Sequence, residues 1–113
     1  MNNNCFEMAM EVIKEADKVI GRRGELNTEY LDIFKQYCGV IDYLIEDNYV
    51  EEYSFSIDKM SQNIRITMIS NDFQVLGNIT SGYYQLLKRS VSFGFYSKYE
   101  KVAVYIEFPS LWD

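Results

Sequence analysis

The chain has 113 residues, a formal net charge of −6 and an aromatic content of 16%, which is typical of a folded chain and predicts one domain over residues 1–113. Because it contains no histidine and only two cysteines, Ser-His-Asp catalysis, Cys-His catalysis and a structural zinc site are excluded. We therefore expect a protein that is not an enzyme and that holds no metal and no cofactor.

Two amphipathic helices are predicted in the N-terminal half of the chain. In residues 5–20, apolar residues recur every three or four positions, from Phe6 through Ile13 to Ile20. In residues 28–47, helical geometry separates an apolar arc, which contains Cys38, from a polar arc. We expect each helix to bury its apolar side, with Cys38 as a small buried hydrophobic residue.

Four strands are predicted as two β-hairpins, over residues 50–70 and 91–108. Their arms alternate between apolar and polar residues, as Phe55 and Ile57 do with Ser54 and Ser56. The two hairpins superimpose at a shift of about 38 residues, which predicts arms and loops of equal length. In the connector, residues 71–90, we predict a short edge strand at 73–76 and a short helix at 80–88.

These elements predict an α+β fold, with the two helices packed on one face of an antiparallel sheet of about four strands. The tail, residues 109–113, is predicted to fold back through Leu111 and Trp112; the alternative is an exposed aromatic anchor for a partner. The helix-facing side of the sheet is predicted to be apolar and to consist of Phe55, Ile57, Ile64, Ile66, Phe93, Phe95, Val102, Val104 and Ile106.

The negative charge is concentrated in residues 25–58, which contain nine acidic residues and one lysine. Such a segment disfavours direct binding to nucleic acid or to an anionic membrane, and it complements a basic protein surface. The alternative is a solvated face that aids solubility. Gly39 lies among these polar residues, either as a point of close approach for a partner or as a tolerated helix defect. The predicted acidic face consists of Asp32, Gly39, Asp42, Tyr43, Glu46, Asp47, Glu51 and Glu52.

A second candidate surface lies on the sheet face turned away from the two helices. It combines small residues, which permit close docking, with tyrosines, which are enriched at interfaces. Plain solvent exposure and coverage by the segment around Tyr83 and Tyr84 are the alternatives. The residues of this small-residue face are Ser54, Ser56, Gly94, Tyr96, Ala103 and Tyr105.

The sequence favours a small acidic binding protein that occludes a basic, nucleic-acid-acting protein, by analogy with immunity proteins, antitoxins and phage-type or anti-CRISPR-like inhibitors. Two alternatives are a self-associating structural or regulatory module and a small-molecule binder that uses the sheet face. Monomer and homodimer are both open. The first residues are polar and carry no basic n-region, so we expect no signal peptide and a cytoplasmic location.

Overall fold

The computed structural model describes residues 4–20, 25–87, 91–98 and 100–112. Within them the chain forms α1 (Cys5–Ile20), α2 (Thr28–Glu46), β1 (Val50–Ile57), β2 (Ile64–Ser70), α3 (Phe73–Gln85), β3 (Ser92–Lys98) and β4 (Lys101–Phe108). The predicted α+β class is confirmed. The last part of the predicted connector, 88–90, and the last residue of the tail, 113, lie outside the described residues.

Each described helix begins at a side chain that accepts a backbone N–H of its first turn, which would otherwise lack a partner. Asn4 accepts the N–H of Glu7 ahead of α1, and Asn27 accepts the N–H of Tyr30 ahead of α2. Asp72 accepts the N–H of Val75 and so starts α3 at Phe73. The predicted edge strand at 73–76 is therefore wrong, because these residues form the first turn of a 13-residue helix.

The four strands form one antiparallel sheet in the order β1-β2-β4-β3. The two hairpins are joined side by side through β2 and β4. Residues 58–63 connect the strands of the first hairpin, whereas residues 99–100 connect those of the second. Ile57 accordingly pairs with Ile64, but Phe95 pairs with Val104. The predicted superposition of the two hairpins is wrong, since their turns differ in length.

All three helices pack on the same face of the sheet. The Phe34 ring of α2 meets the Phe108 ring of β4 edge-on at 5.2 Å, and the Tyr84 ring of α3 lies 4.6 Å from the Phe93 ring of β3. The strand register places the nine predicted apolar residues on this face, together with Met68 and Phe108, which are fully buried. Among the described residues, no helix is long and apolar enough to cross a bilayer.

Tyr37 lies at the centre of the core. Its hydroxyl is 2.8 Å from the Thr80 Oγ1 of α3 and 3.6 Å from the Met68 Sδ of β2. Its ring packs against Tyr83 and Phe108 at centroid distances of 5.2 Å and 5.6 Å. Burial raises the pKa of Tyr37, so the hydroxyl stays protonated and can donate a hydrogen bond. This side chain therefore links α2, α3 and the sheet.

The tail folds back onto the body of the protein. Leu111 is buried, its carbonyl accepts the N–H of Asn27 at 2.7 Å, and Leu26 and Trp112 form an antiparallel bridge. The N–H of Ser110 also donates to the Asn63 side chain at 3.1 Å. The predicted closure is confirmed at Leu111, and it connects the start of α2 with the end of β4.

Candidate functional site

The outer side of α2 carries most of the predicted acidic face. Five of its eight residues share that side of the helix because their spacings are those of successive turns. The Tyr43 side chain is 62% exposed, and Asp32 accepts a hydrogen bond from Gln36 at 2.9 Å. A hydrogen bond to Asp47 raises the pKa of Tyr43. The five residues are Asp32, Gly39, Tyr43, Glu46 and Asp47, all exposed.

Asp42 is turned towards α1 rather than towards solvent. Its Oδ1 accepts the N–H of Cys5 at 3.0 Å and so caps the first turn of α1 from a neighbouring helix. Partial burial raises the pKa of the Asp42 carboxyl, the Cys5 N–H lowers it, and the charge of Glu46 raises it. This carboxylate holds the two helices together, which is a different task from the predicted contact with a partner.

Glu51 and Glu52 do not extend the exposed face of α2. Glu51 lies at a bulge in β1 and forms an ion pair with Lys101 of β4. Glu52 pairs with Ile69 in the register, which places its side chain on the sheet face opposite the helices. The predicted acidic face is thus divided among α2, the α1 cap and the far side of the sheet.

The small-residue face is open in the described part of the chain. Tyr83 and Tyr84 pack on the helix side of the sheet, so the prediction that they cover this face is wrong. Gly94 lies opposite Tyr105, and a Cβ at Gly94 would be 3.2 Å from the Tyr105 ring. The glycine therefore lets that ring lie against the backbone of β3.

Arg65 occupies the middle of this sheet face. Its guanidinium lies 4.4 Å from the centre of the Tyr105 ring, and its Nε donates to Glu107 at 3.2 Å. Tyr96 lies opposite Ala103 on one side of β4, while Ser54 and Ser56 lie on β1, beyond β2. The predicted residues thus form two groups separated by a polar strip, and sequence reasoning did not give Arg65 this central place.

Residues 5–94 match the family described as the ARF-like 2 binding protein BART. The match extends from the start of α1 into β3 and covers most of the chain. The chain belongs to this family. None of the curated proteins and none of the solved structures matches it. Membership of the BART family supports a small protein-binding module and makes the exposed surfaces described above its candidate sites.

Metal binding has no candidate site in the parts of this BART family chain that the structure describes. There, no group of three or more cysteine, aspartate or glutamate side chains is placed to hold an ion. Cys5 and Cys38 are both fully buried, and the hydrogen bond between their side chains raises the pKa of Cys38. A buried protonated thiol is a poor nucleophile. Cys38 therefore serves as a core residue, in agreement with its position on the apolar arc.

Gly39 provides a test of the outer face of α2 in this BART family member. A Cβ placed there meets no described atom within 4 Å, so the Gly39→Ala variant is expected to gain about 0.5–1 kcal/mol in free energy of unfolding from helix propensity alone. Urea denaturation measures the gain. Gly77→Ala is the control and should gain less, because its Cβ would lie 2.7 Å from the Phe95 ring. A loss of stability in Gly39→Ala would contradict an open helix face.

Proposed function

We propose that the chain is a protein-binding module that docks a protein partner onto the outer face of α2. The observation that carries this proposal is the combination of the exposed Tyr43 side chain with the open space over Gly39. Asp32, Glu46 and Asp47 surround these two residues and give the face a negative charge. Membership of a family named for binding another protein supports the same function.

Each part of this face has a separate task in binding. The carboxylates attract a basic partner over a long distance and raise the rate of association. Tyr43 supplies a large rigid contact area, as tyrosines do at binding hot spots. Gly39, one helical turn from Tyr43, lets a backbone segment of the partner approach the helix axis.

Two partners fit the proposal, and each has its own support. The first is an ARF-like 2 protein, which the name of the family supports. The second is a basic, nucleic-acid-acting protein whose nucleic acid site the chain would occlude, in the manner of an immunity protein or a phage-type inhibitor. The charge of residues 25–58, nine acidic residues against one lysine, supports this second partner.

Reversing two charges on this face tests the proposal. The double variant Glu46→Lys, Asp47→Lys is expected to slow association at least tenfold at low salt, because steering depends on these charges. Surface plasmon resonance with immobilised ARF-like 2 protein, and separately with a basic nuclease, measures the rate at low and at moderate salt.

The control carries the same change of charge on another helix. The double variant Glu11→Lys, Glu15→Lys alters exposed residues of α1 and should reduce the rate much less. Equal slowing by both variants would reduce the effect to net charge and contradict a site on α2. A Tyr43→Ala variant with unchanged dissociation would contradict the proposed anchor. Binding to only one of the two immobilised proteins identifies the type of partner.

A further inference from the structure

The two edges of the sheet are protected to different degrees. An unpaired edge strand offers free N–H and C=O groups to other chains, and proteins protect such edges with bulges and charges. On β1 the register shifts between Val50 and Glu52, and Glu51 and Glu52 add two charges next to that bulge. The β1 edge is therefore unsuited to the addition of another strand.

The β3 edge has neither form of protection. Its register with β4 runs without interruption from Ser92 to Lys98, the strand contains no proline, and its only charged residue is the last one. Lys98 and Lys101 flank a two-residue turn, so they form a hydrogen-bonded pair and the bonding alternates from there. The N–H and C=O groups of Phe93, Phe95 and Ser97 consequently point away from β4.

Apolar side chains lie on both sides of this open edge. On the helix side, Phe95 is 51% exposed, and its ring meets that of Phe73, itself 50% exposed, at 6.1 Å in an edge-on arrangement. Gly77 of α3 leaves the room that the Phe95 ring occupies. On the other side of the sheet, Tyr96 is 40% exposed. The alternate side chains of an added strand would thus contact aromatic rings on both faces.

The charge around β3 is opposite to that of the rest of the chain. Residues 88–101 contain four basic residues and one acidic residue, whereas the whole chain has a formal charge of −6. One of the four, Lys101, already pairs with Glu51, which leaves three basic residues in the sequence on either side of the strand core. An acidic segment is the electrostatic complement of this stretch.

We propose that the β3 edge binds an extended acidic segment of a partner protein, which adds a fifth strand to the sheet. Main-chain hydrogen bonds to Phe93, Phe95 and Ser97 supply the affinity, and the aromatic side chains and the basic flanks select the sequence. This site is independent of the outer face of α2 and lies at another edge of the molecule.

Peptide binding to the full chain tests the proposal. The probe is a fluorescein-labelled ten-residue peptide of alternating valine and threonine with two glutamates at each end, followed by fluorescence anisotropy. We expect saturable binding, at least tenfold weaker when the glutamates are replaced by lysines. Methylation of the four central amide nitrogens removes their N–H groups and should also weaken binding at least tenfold.

A proline substitution tests the edge itself. Ser97→Pro removes one outward N–H and is tolerated on an edge strand, so it should weaken the peptide at least tenfold with little change in the circular dichroism spectrum. Ser97→Ala keeps the N–H and should bind normally. If Ser97→Pro disturbs the fold, Phe95→Glu serves instead, since it places a like charge beside the acidic peptide.

Two results would overturn the proposal. One is equal affinity for the acidic and basic peptides, or binding that Ser97→Pro and Phe95→Glu leave unchanged. The other is a dimer in sedimentation experiments that Ser97→Pro dissociates, which would assign the edge to a second copy of the chain. The Glu46→Lys, Asp47→Lys variant should bind the peptide normally, so failure of the α2 proposal and failure of this one are distinguishable.

Discussion

Replacing Phe34 with alanine is expected to lower the free energy of unfolding by about 3–5 kcal/mol. The side chain is fully buried, and its ring contacts Phe108 at 5.2 Å and Phe6 at 6.1 Å. Removing it leaves a cavity where α1, α2 and β4 meet. Since domains of this size are stable by about 5–15 kcal/mol, the variant should lose a large part of its stability in a urea titration.

Phe73→Ala is the matched control for this substitution. It removes the same side chain from a position that is 50% exposed, where its ring contact is with the half-exposed Phe95. We expect a loss within about 1 kcal/mol, because less apolar area returns to water and no closed cavity forms. Similar losses in the two variants would contradict the placement of Phe34 in the core.

The helices and strands with regular patterns could be predicted from the sequence. Complete separation of apolar and polar residues in α2 fixed which side faces the sheet, and Phe34, Tyr37 and Ile41 are indeed fully buried. The alternation in β2 and β4 fixed which residues share a face. These patterns follow from local geometry, with periods of 3.6 and 2 residues, and a single sequence displays them directly.

The extent of α3 could not be predicted because its composition contradicts its structure. Gly77 and Gly82 weaken helix propensity, and Thr80 resembles a cap rather than an interior residue. The structure accounts for two of the three: Gly77 makes room for the Phe95 ring, and Thr80 bonds to Tyr37. One local signal was available, since Asp72 is a good N-cap residue just ahead of Phe73.

Pairing between distant strands is the other feature that the sequence does not display. The contact of β2 with β4 brings Arg65 next to Glu107, which lies 42 residues away. Nothing in the alternation of either strand selects its neighbour, because every strand presents a similar apolar face. The strand order therefore depends on the packing of all three helices, which is a property of the whole fold.

The candidate site divides along the same line. Helical periodicity alone groups Asp32, Tyr43 and Glu46 on one side of α2. The position of Asp42 depends on where α1 begins, because its carboxylate caps that helix. The position of Glu52 depends on the register of β1, which places it on the far face of the sheet. Charge counting along the sequence could not separate these roles.

Substituting Thr80 with valine is expected to lower the free energy of unfolding by about 1–3 kcal/mol, although it leaves the shape of the side chain nearly unchanged. Thr80 is fully buried, and its Oγ1 lies 2.8 Å from the Tyr37 hydroxyl. Without Oγ1 that hydroxyl keeps only the longer 3.6 Å contact with the Met68 sulfur, which is a weak acceptor. The cost is that of a buried donor left poorly satisfied.

A double-mutant cycle separates this cost from a loss of packing. Tyr37→Phe should also destabilise the protein, because it leaves Thr80 Oγ1 without its Tyr37 partner. In the double variant Tyr37→Phe, Thr80→Val neither polar group remains, so its loss should be smaller than the sum of the two single losses by about 1 kcal/mol or more. Strict additivity in urea denaturation would mean that the hydroxyls do not interact. The core would then owe the junction of α2, α3 and β2 to ring packing alone.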